Sequence, residues 1–442
     1  MNFFIYTLGC PKNEVDSDLL ANTIVSSGWR LVKSPDQADV VVVNTCAFLQ
    51  AAIEENIKVI KRFAALKDDL NFTLVVTGCL AQRLGGKLKD EIKEINLIVP
   101  QRDLMYLPRL LLEKQFNDKI DFTDSTYFYK TSRDKSFFSS RAYAYLKISE
   151  GCNRPCSFCV IPRIRGKFRS KPIHLILEEA QNLLDQGFKE IILVAQDLSS
   201  YGLDLYGKQL LPSLLKSLNS LEGNFWIRLL YLYPLGLTDK LLDTILELDK
   251  VCNYVDIPFQ HCSKKILQTM ARPLGEFSPN RIVEKIKSKN PDLAIRTTFI
   301  VGFPGETDED FQQLCSFVKQ YELHNVGVFI YSDEDQARSY NFKNKVLYQK
   351  AAERRDHILN IQKEVSRRIL GRFIGRRLKV LVEDKKKSAF LGRTYFQAPE
   401  IDGITFVQGS CKMRNFTDCV IQQSLDYDLI ASSKKLALAQ EC

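Results

Sequence analysis

The sequence predicts an α/β multidomain protein: an N-terminal parallel βαβ domain, a central partial (βα)6 barrel, and a small C-terminal antiparallel β-barrel of OB type. Three observations carry this. First, apolar runs at residues 3–8, 40–43 and 72–76 end at Cys10, Cys46 and Cys79, 36 and 33 residues apart, with helical patterns between them. Second, six further β-type runs, mostly separated by helical patterns, occupy about 190 residues of the middle. Third, short β-type runs divided by Gly and Asp turns close the chain.

Composition sets the outer bounds. The chain has 442 residues, 45% hydrophobic and 26% charged, with a net charge of +9. These are ordinary globular values and exclude wholesale disorder; the length suits about three domains. No run reaches the roughly 18 apolar residues of a membrane span. The first residues lack a basic segment and a small-residue cleavage site, so a cytoplasmic protein without membrane association is expected. The 12 cysteines are then expected to stay reduced, which favours metal binding or catalysis over disulfides. Four scattered histidines make no His-rich site, and neither a phosphate-binding loop nor a nucleophile elbow is present.

In the first third, helical spacing of Val15, Leu19, Leu20 and Ile24, and of Ile53, Ile57, Ile60 and Ala64, fits right-handed βαβ crossovers. Open α/β sheets bind ligands outside the carboxyl ends of their strands. Cys10, Cys46 and Cys79 each lie at such an end, so three sulfurs distant in sequence can converge. Small buried hydrophobes are the bland alternative. Zinc normally needs a fourth ligand, and none lies nearby. A strand at 97–99 and a helix at 104–112 complete a domain spanning 1–114; the polar stretch 115–140 reads as a linker.

The central domain is placed at 141–342, with strands at 143–148, 191–195, 225–232, 254–257, 297–301 and 326–331. After the first comes Glu150-Gly151-Cys152-Asn153-Arg154-Pro155-Cys156-Ser157-Phe158-Cys159, with C-x3-C-x2-C spacing. Three thiolates within eight residues suit one iron–sulfur cube and leave its fourth iron open. A zinc knuckle is the rival, but the next His is His174. Barrel active sites occupy the carboxyl ends of strands. Phe158, Gln196, Asp197, Gln260, His261 and Glu306 are therefore candidates for a cofactor and substrate pocket, although such ends also carry polar turn residues. Alternating Arg163, Arg165, Lys167, Arg169 and Lys171 read either as a solvated basic strand or as neutralising partners of the thiolates.

A connecting helix is expected at 349–377, with Ala352, Ile358, Ile361, Val365 and Ile369 on one face, and the connecting segment is assigned to 343–375. Residues 343–379 hold 12 Lys+Arg against 3 Asp+Glu. The final domain, 376–442, has β-type runs at 378–382, 390–396, 404–407 and 419–421. From residue 380 onward it is neutral, with 8 basic and 8 acidic residues, whereas phosphate backbones call for positive surface. Direct nucleic-acid binding is not required; its turn at Glu400 and Asp402 suggests carboxylates offered to a basic protein.

The C-x3-C-x-Phe-C loop resembles the signature of the radical S-adenosylmethionine (SAM) superfamily, and the whole chain resembles its methylthiotransferases, which join a three-Cys domain, a radical SAM barrel and a TRAM domain. Of two branches, one modifies tRNA adenosine and the other an aspartate of small-subunit ribosomal protein S-twelve. Similarity to the second rests on Thr7-Leu8-Gly9-Cys10-Pro11-Lys12-Asn13, Gln196-Asp197, Asp256-Ile257-Pro258-Phe259-Gln260-His261 and Ala398-Pro399-Glu400-Ile401-Asp402-Gly403. Residues 331–337 depart from it, carrying Glu334-Asp335 where the family usually has Glu-Gly-Thr. The resemblance implies two 4Fe–4S clusters, one on Cys10, Cys46 and Cys79, the other on Cys152, Cys156 and Cys159 with SAM at its open iron. One SAM would methylate a cluster-bound sulfur. A second would yield the 5′-deoxyadenosyl radical that removes hydrogen from the aspartate β-carbon. An electron donor such as flavodoxin or ferredoxin is implied, with the substrate met within or near the ribosome. The alternatives are tRNA adenosine methylthiolation, or an iron–sulfur electron-transfer or assembly protein.

Overall fold

A computed structural model describes residues 1–112, 141–386 and 389–433; the expected linker lies outside the described residues. The N-terminal domain is a wholly parallel five-stranded sheet. Its strands are β1 (Asn2–Thr7), β2 (Arg30–Leu31), β3 (Val40–Thr45), β4 (Thr73–Gly78) and β5 (Leu97–Pro100), in the order β2-β1-β3-β4-β5. β3 is buried throughout and β4 almost so, as befits central parallel strands covered on both faces. Val40, Val42 and Val75 pack toward Leu20 and Ile24 of the Pro11–Ser26 helix. Val41, Val43 and Val76 pack toward Ile53, Ile60 and Phe63 of the Gln50–Ala65 helix. Register pairs Thr7 with Asn44 and Thr45 with Gly78, so β1, β3 and β4 end level and deliver their cysteines to one edge.

The central domain carries β6 (Tyr143–Lys147), an antiparallel two-residue ribbon of β7 (Ser149–Glu150) with β8 (Arg169–Ser170), then β9 (Glu190–Val194), β10 (Trp226–Leu229), β11 (Tyr254–Asp256), β12 (Ala294–Val301) and β13 (Asn325–Ile330). Two parallel sheets, β10-β9-β6 and β11-β12-β13, are joined by an Ile227–Val251 bridge into a partial six-stranded barrel. The Pro11–Ser26 helix of the first domain packs along β6, and its Val15 enters the barrel's core. The β7–β8 ribbon, which spacing alone does not announce, pinches the base of the loop that carries Cys152, Cys156 and Cys159.

The connecting helix runs Tyr348–Gly371, six residues short of the expected end. The chain turns through Gly375, at φ 83°, directly into the next strand. Ala351 rather than Ala352 is the buried alanine; a Cβ at Gly302 would lie against it. The basic excess here is largely neutralised across domains: Lys350 and Arg354 pair with Asp308, Arg368 and Arg372 with Glu322, and Lys363 and Arg367 with Asp426.

The C-terminal domain is a closed barrel of β14 (Arg377–Lys386), β15 (Ala389–Arg393), β16 (Thr405–Gln408), β17 (Asn415–Ser424) and β18 (Leu429–Ser432), ordered β14-β15-β16-β18-β17. Two features depart from the expectation. β18 is a fifth strand, hidden in sequence because it is four residues long beside a polar turn, and it pairs parallel with β16. The acidic turn is not a free surface. Segment 393–402 plugs the amino-terminal mouth of the central barrel. There Asp402, its side chain fully buried, accepts from Tyr254 at 2.8 Å and pairs with Arg296 at 3.3 Å. Glu400 accepts from Tyr143 at 2.9 Å and pairs with Arg141. Arg393, 1% exposed, bridges Glu190 and Glu383.

Candidate active site

Two cysteine triads face the junction between the first two domains. In the first, Cys10 precedes the Pro11–Ser26 helix in extended conformation, with Pro11 at its first position, and Cys79 opens the Cys79–Leu84 helix. Gly9, at φ 101°, brings the backbone so near Cys46 that an added Cβ would stand 2.6 Å from the Cys46 Cβ. Asn13 ties the three together. Its amide donates to the carbonyls of Leu8 and Thr45, while its oxygen lies 3.9 Å from the sulfurs of both Cys10 and Cys79.

The second triad lies on one loop. Gly151, at φ 78°, passes against the Lys167 carbonyl with no room for a side chain, and Cys152 donates its amide to Gly166. The Cys152 sulfur accepts the Arg154 amide at 3.4 Å, and the Arg272 guanidinium stands 3.6 Å from the Cys156 sulfur. Arg154 and Arg272 both lie over the Tyr233 ring, at 4.2 and 4.3 Å. Ser157 anchors the loop to Thr269 and Met270, and its carbonyl accepts from Ser339.

The donor chemistry fits iron–sulfur clusters. All six thiols are free, and burial pushes Cys79 and Cys159 up to about 12 and Cys152 to about 11, so their thiolates want a metal to hold them. Among the described residues no group of three His, Cys, Asp or Glu could hold a single ion; a cube takes each thiolate on a different iron and needs no such convergence.

A buried polar network connects the triads. Arg165 donates to Asn13 at 2.5 Å and Asp16 at 2.7 Å, and reaches Glu150 at 3.4 Å. Lys147 pairs with Asp16 and, at 2.6 Å, with Glu150; Gln196 donates to Glu150 at 2.8 Å. Burial works against a charge on Glu150, yet Lys147 and Arg165 hold its carboxyl at about 2. A second tie crosses the domains farther out: Arg83 donates to the Ala47 carbonyl and pairs with Glu334 and Asp335, each at 2.6 Å. The departure at 331–337 is therefore a clasp between the triad-bearing domains.

The other candidates divide. Gln196 faces the network and keeps its oxygen unpaired, free for a ligand. Phe158 packs against Ile266, Met270 and Phe303. Asp197 is spent on Ser199, Ser200 and Arg154, so it braces Arg154. Gln260 holds φ 75° and bridges to β12. His261 and Glu306 are buried 3.5 Å apart, with Ser263, Gly302 and Arg354 as their partners, on the side of the connecting helix. The basic alternation splits too: Arg165 and Lys171 are buried in ion pairs, while Arg163 and Lys167 are exposed. Lys12, Asn13 and Arg154 adjoin cysteines in sequence and were findable there; Arg83, Tyr233 and Arg272 carry no local signal.

Over 432 residues, 98% of this chain and 100% of the relative, the sequence is 44% identical to ribosomal protein uS12 methylthiotransferase RimO of Thermotoga sp. (strain RQ2). The chain belongs to the RimO family. Family members from Clostridium acetobutylicum, 40% identical over 97% of each chain, and Carboxydothermus hydrogenoformans, 39% identical over 94% of each, agree. Within this RimO-family chain, residues 2–100 match the uncharacterized protein family UPF0004, 146–318 the radical SAM superfamily and 374–433 the TRAM domain. The fold resembles the radical SAM methyltransferase TsrM of Kitasatospora setae, at TM-score 0.57 and 13% identity over 74% of each chain. It also resembles the cobalamin-dependent SAM radical enzyme OxsB, at TM-score 0.55 and 12% identity, over 81% of this chain and 56% of that one.

Proposed function

We propose that this chain is a radical SAM methylthiotransferase that adds a methylthio group to the β-carbon of an aspartate in ribosomal protein uS12. The observation that carries the reading is the buried chain of contacts Asn13–Arg165–Glu150, which fixes one cysteine triad against the other. Cys152, Cys156 and Cys159 would hold the SAM-binding 4Fe–4S cluster, and Cys10, Cys46 and Cys79 a second cluster. When bound, the two supply reductive cleavage of SAM and a seat for the transferred sulfur.

The chain's own residues set the surroundings. The Arg154 backbone amide directs its N–H dipole at Cys152 and the Arg272 guanidinium places positive charge at Cys156, which together offset thiolate charge and favour accepting an electron. The unpaired Gln196 oxygen offers SAM a polar contact. Lys147, Arg165, Asp16 and Glu150 hold the two domains at a fixed approach without exposing a net charge. The electron is proposed to come from a flavodoxin- or ferredoxin-type donor. No helix among the described residues is long and apolar enough to cross a membrane.

The test is mass spectrometry of ribosomal proteins and tRNA nucleosides from cells lacking this protein. Loss of a methylthio group from a uS12 aspartate is expected. Loss from tRNA with uS12 unchanged would transfer the assignment to tRNA adenosine.

A further inference from the structure

Lys12 and Arg272 are the cations of the interdomain junction that rest on a tyrosine ring without a carboxylate partner among the described residues. Arg165 and Lys147 are each held by Asp16 and Glu150, and Arg154 by Asp197. The Lys12 ammonium instead lies over the Tyr231 ring, 3.5 Å from its centroid; Cys10 and Glu150 act on it electrostatically, but among the described residues no carboxylate stands within ion-pair distance of it. Its side chain is half-buried, so it keeps an approach from solvent.

The surface beneath it is built. Tyr231 follows the carboxyl end of β10 and holds φ 67°, a left-handed conformation that a tyrosine adopts only under constraint. Two bonds supply the constraint: the Tyr231 amide donates to the Asp256 carboxylate at 3.0 Å, and its carbonyl accepts from Leu198 at 3.0 Å. The strained backbone thus presents the ring to an ammonium that belongs to another domain. A cation on an aromatic face keeps much of its demand for an anion, because the ring supplies a quadrupole and not a charge.

We propose that Lys12 is the receptor for the side-chain carboxylate of the target aspartate, and so determines specificity for an acidic residue. The proposal rests on the function proposed above and names the group that reads its substrate. In aspartate the carboxylate is bonded directly to the β-carbon, so one ion pair at Lys12 fixes the reacting carbon beside Cys10, two residues away. The methionyl carboxylate of SAM is the competing source of the same chemistry. Lys12 lies in the N-terminal domain next to Cys10, whereas the triad assigned to SAM has its own cation in Arg272.

A double-mutant cycle tests this. The reconstituted enzyme and its Lys12→Met variant are titrated, by fluorescence anisotropy, with full-length uS12 carrying either Asp or Asn at the target position. Iron content and melting temperature verify the fold, and Lys12→Gln goes through the same cycle if the Met variant fails to fold. Wild-type enzyme is expected to lose about tenfold in affinity on Asp→Asn, and the Lys12 variant less than about twofold, giving a coupling of at least about fivefold. Coupling below about twofold overturns the proposal. So does a loss confined to SAM affinity, which would give Lys12 to the cofactor. If wild-type enzyme methylthiolates uS12 and the coupling is absent, this inference alone fails; if it leaves uS12 unmodified, the functional reading fails with it.

Discussion

The two ends of the central barrel are built on opposite plans. At the carboxyl end lie free thiols, an unpaired Gln196 oxygen and two guanidinium groups stacked on Tyr233 beside a cysteine. At the amino end, Glu400, Asp402 and Arg393 of the last domain are consumed in bonds to Tyr143, Tyr254, Arg296 and Glu190. One end keeps free thiols and an unpaired oxygen; the other pairs its carboxylates with cations and tyrosines within the chain. The division accords with barrels in general, where chemistry gathers at the carboxyl ends of the strands and stability at the other face. It also shows that an acidic turn read as a docking surface can be a plug, because composition is silent about what covers a residue.

The largest contrast is expected from the cysteines. Replacing Cys152, Cys156 and Cys159 by Ala should abolish both SAM cleavage and methylthio transfer, and reduce reconstituted iron from about eight to about four per chain. Replacing Cys10, Cys46 and Cys79 should remove the same amount of iron and stop transfer while 5′-deoxyadenosine still forms. Unchanged iron in the second variant would make the first triad a set of core residues and leave the carboxyl end with a single cluster.

The amino end should respond in stability and not in chemistry. Arg393→Met strands Glu383 and leaves Glu190 with Arg228 alone, and is expected to lower unfolding free energy by about 3–5 kcal/mol in denaturant titrations. Transfer per folded molecule should persist. A variant of wild-type stability that has lost transfer would erase the distinction between the two ends.

A smaller effect at the same end is set by pH. His324 precedes β13, its ring 6.3 Å from that of Phe396 in the plug. Burial, with Lys287 and Arg372 adding, pulls its pKa down to about 4 from an ordinary 6.5. Between these values the unfolded chain carries a proton that the folded one refuses. Stability is therefore full above pH 6.5 and declines as pH falls toward 4, by up to about 2–3 kcal/mol. His324→Gln should flatten this decline relative to wild type; identical slopes would remove His324 from the account.

The order of the three architectures, the six barrel strands to within a few residues, and the placement of the six cysteines at strand ends and on one loop are legible in the sequence. These are legible because they are written locally: strands and helices repeat with fixed periods, and Cys152, Cys156 and Cys159 fall within one turn-rich loop. The triad of Cys10, Cys46 and Cys79 was legible only through the rule that parallel strands end together, which the register of β1, β3 and β4 obeys. Tertiary structure alone decided which charges meet. Arg83 finds Glu334, Arg165 finds Asp16, Lys12 finds Tyr231 and Asp402 finds Arg296, all across domain boundaries. A charged side chain looks the same in sequence whether it is solvated, paired or waiting for a ligand. Only the packing that strips away its water selects among the three.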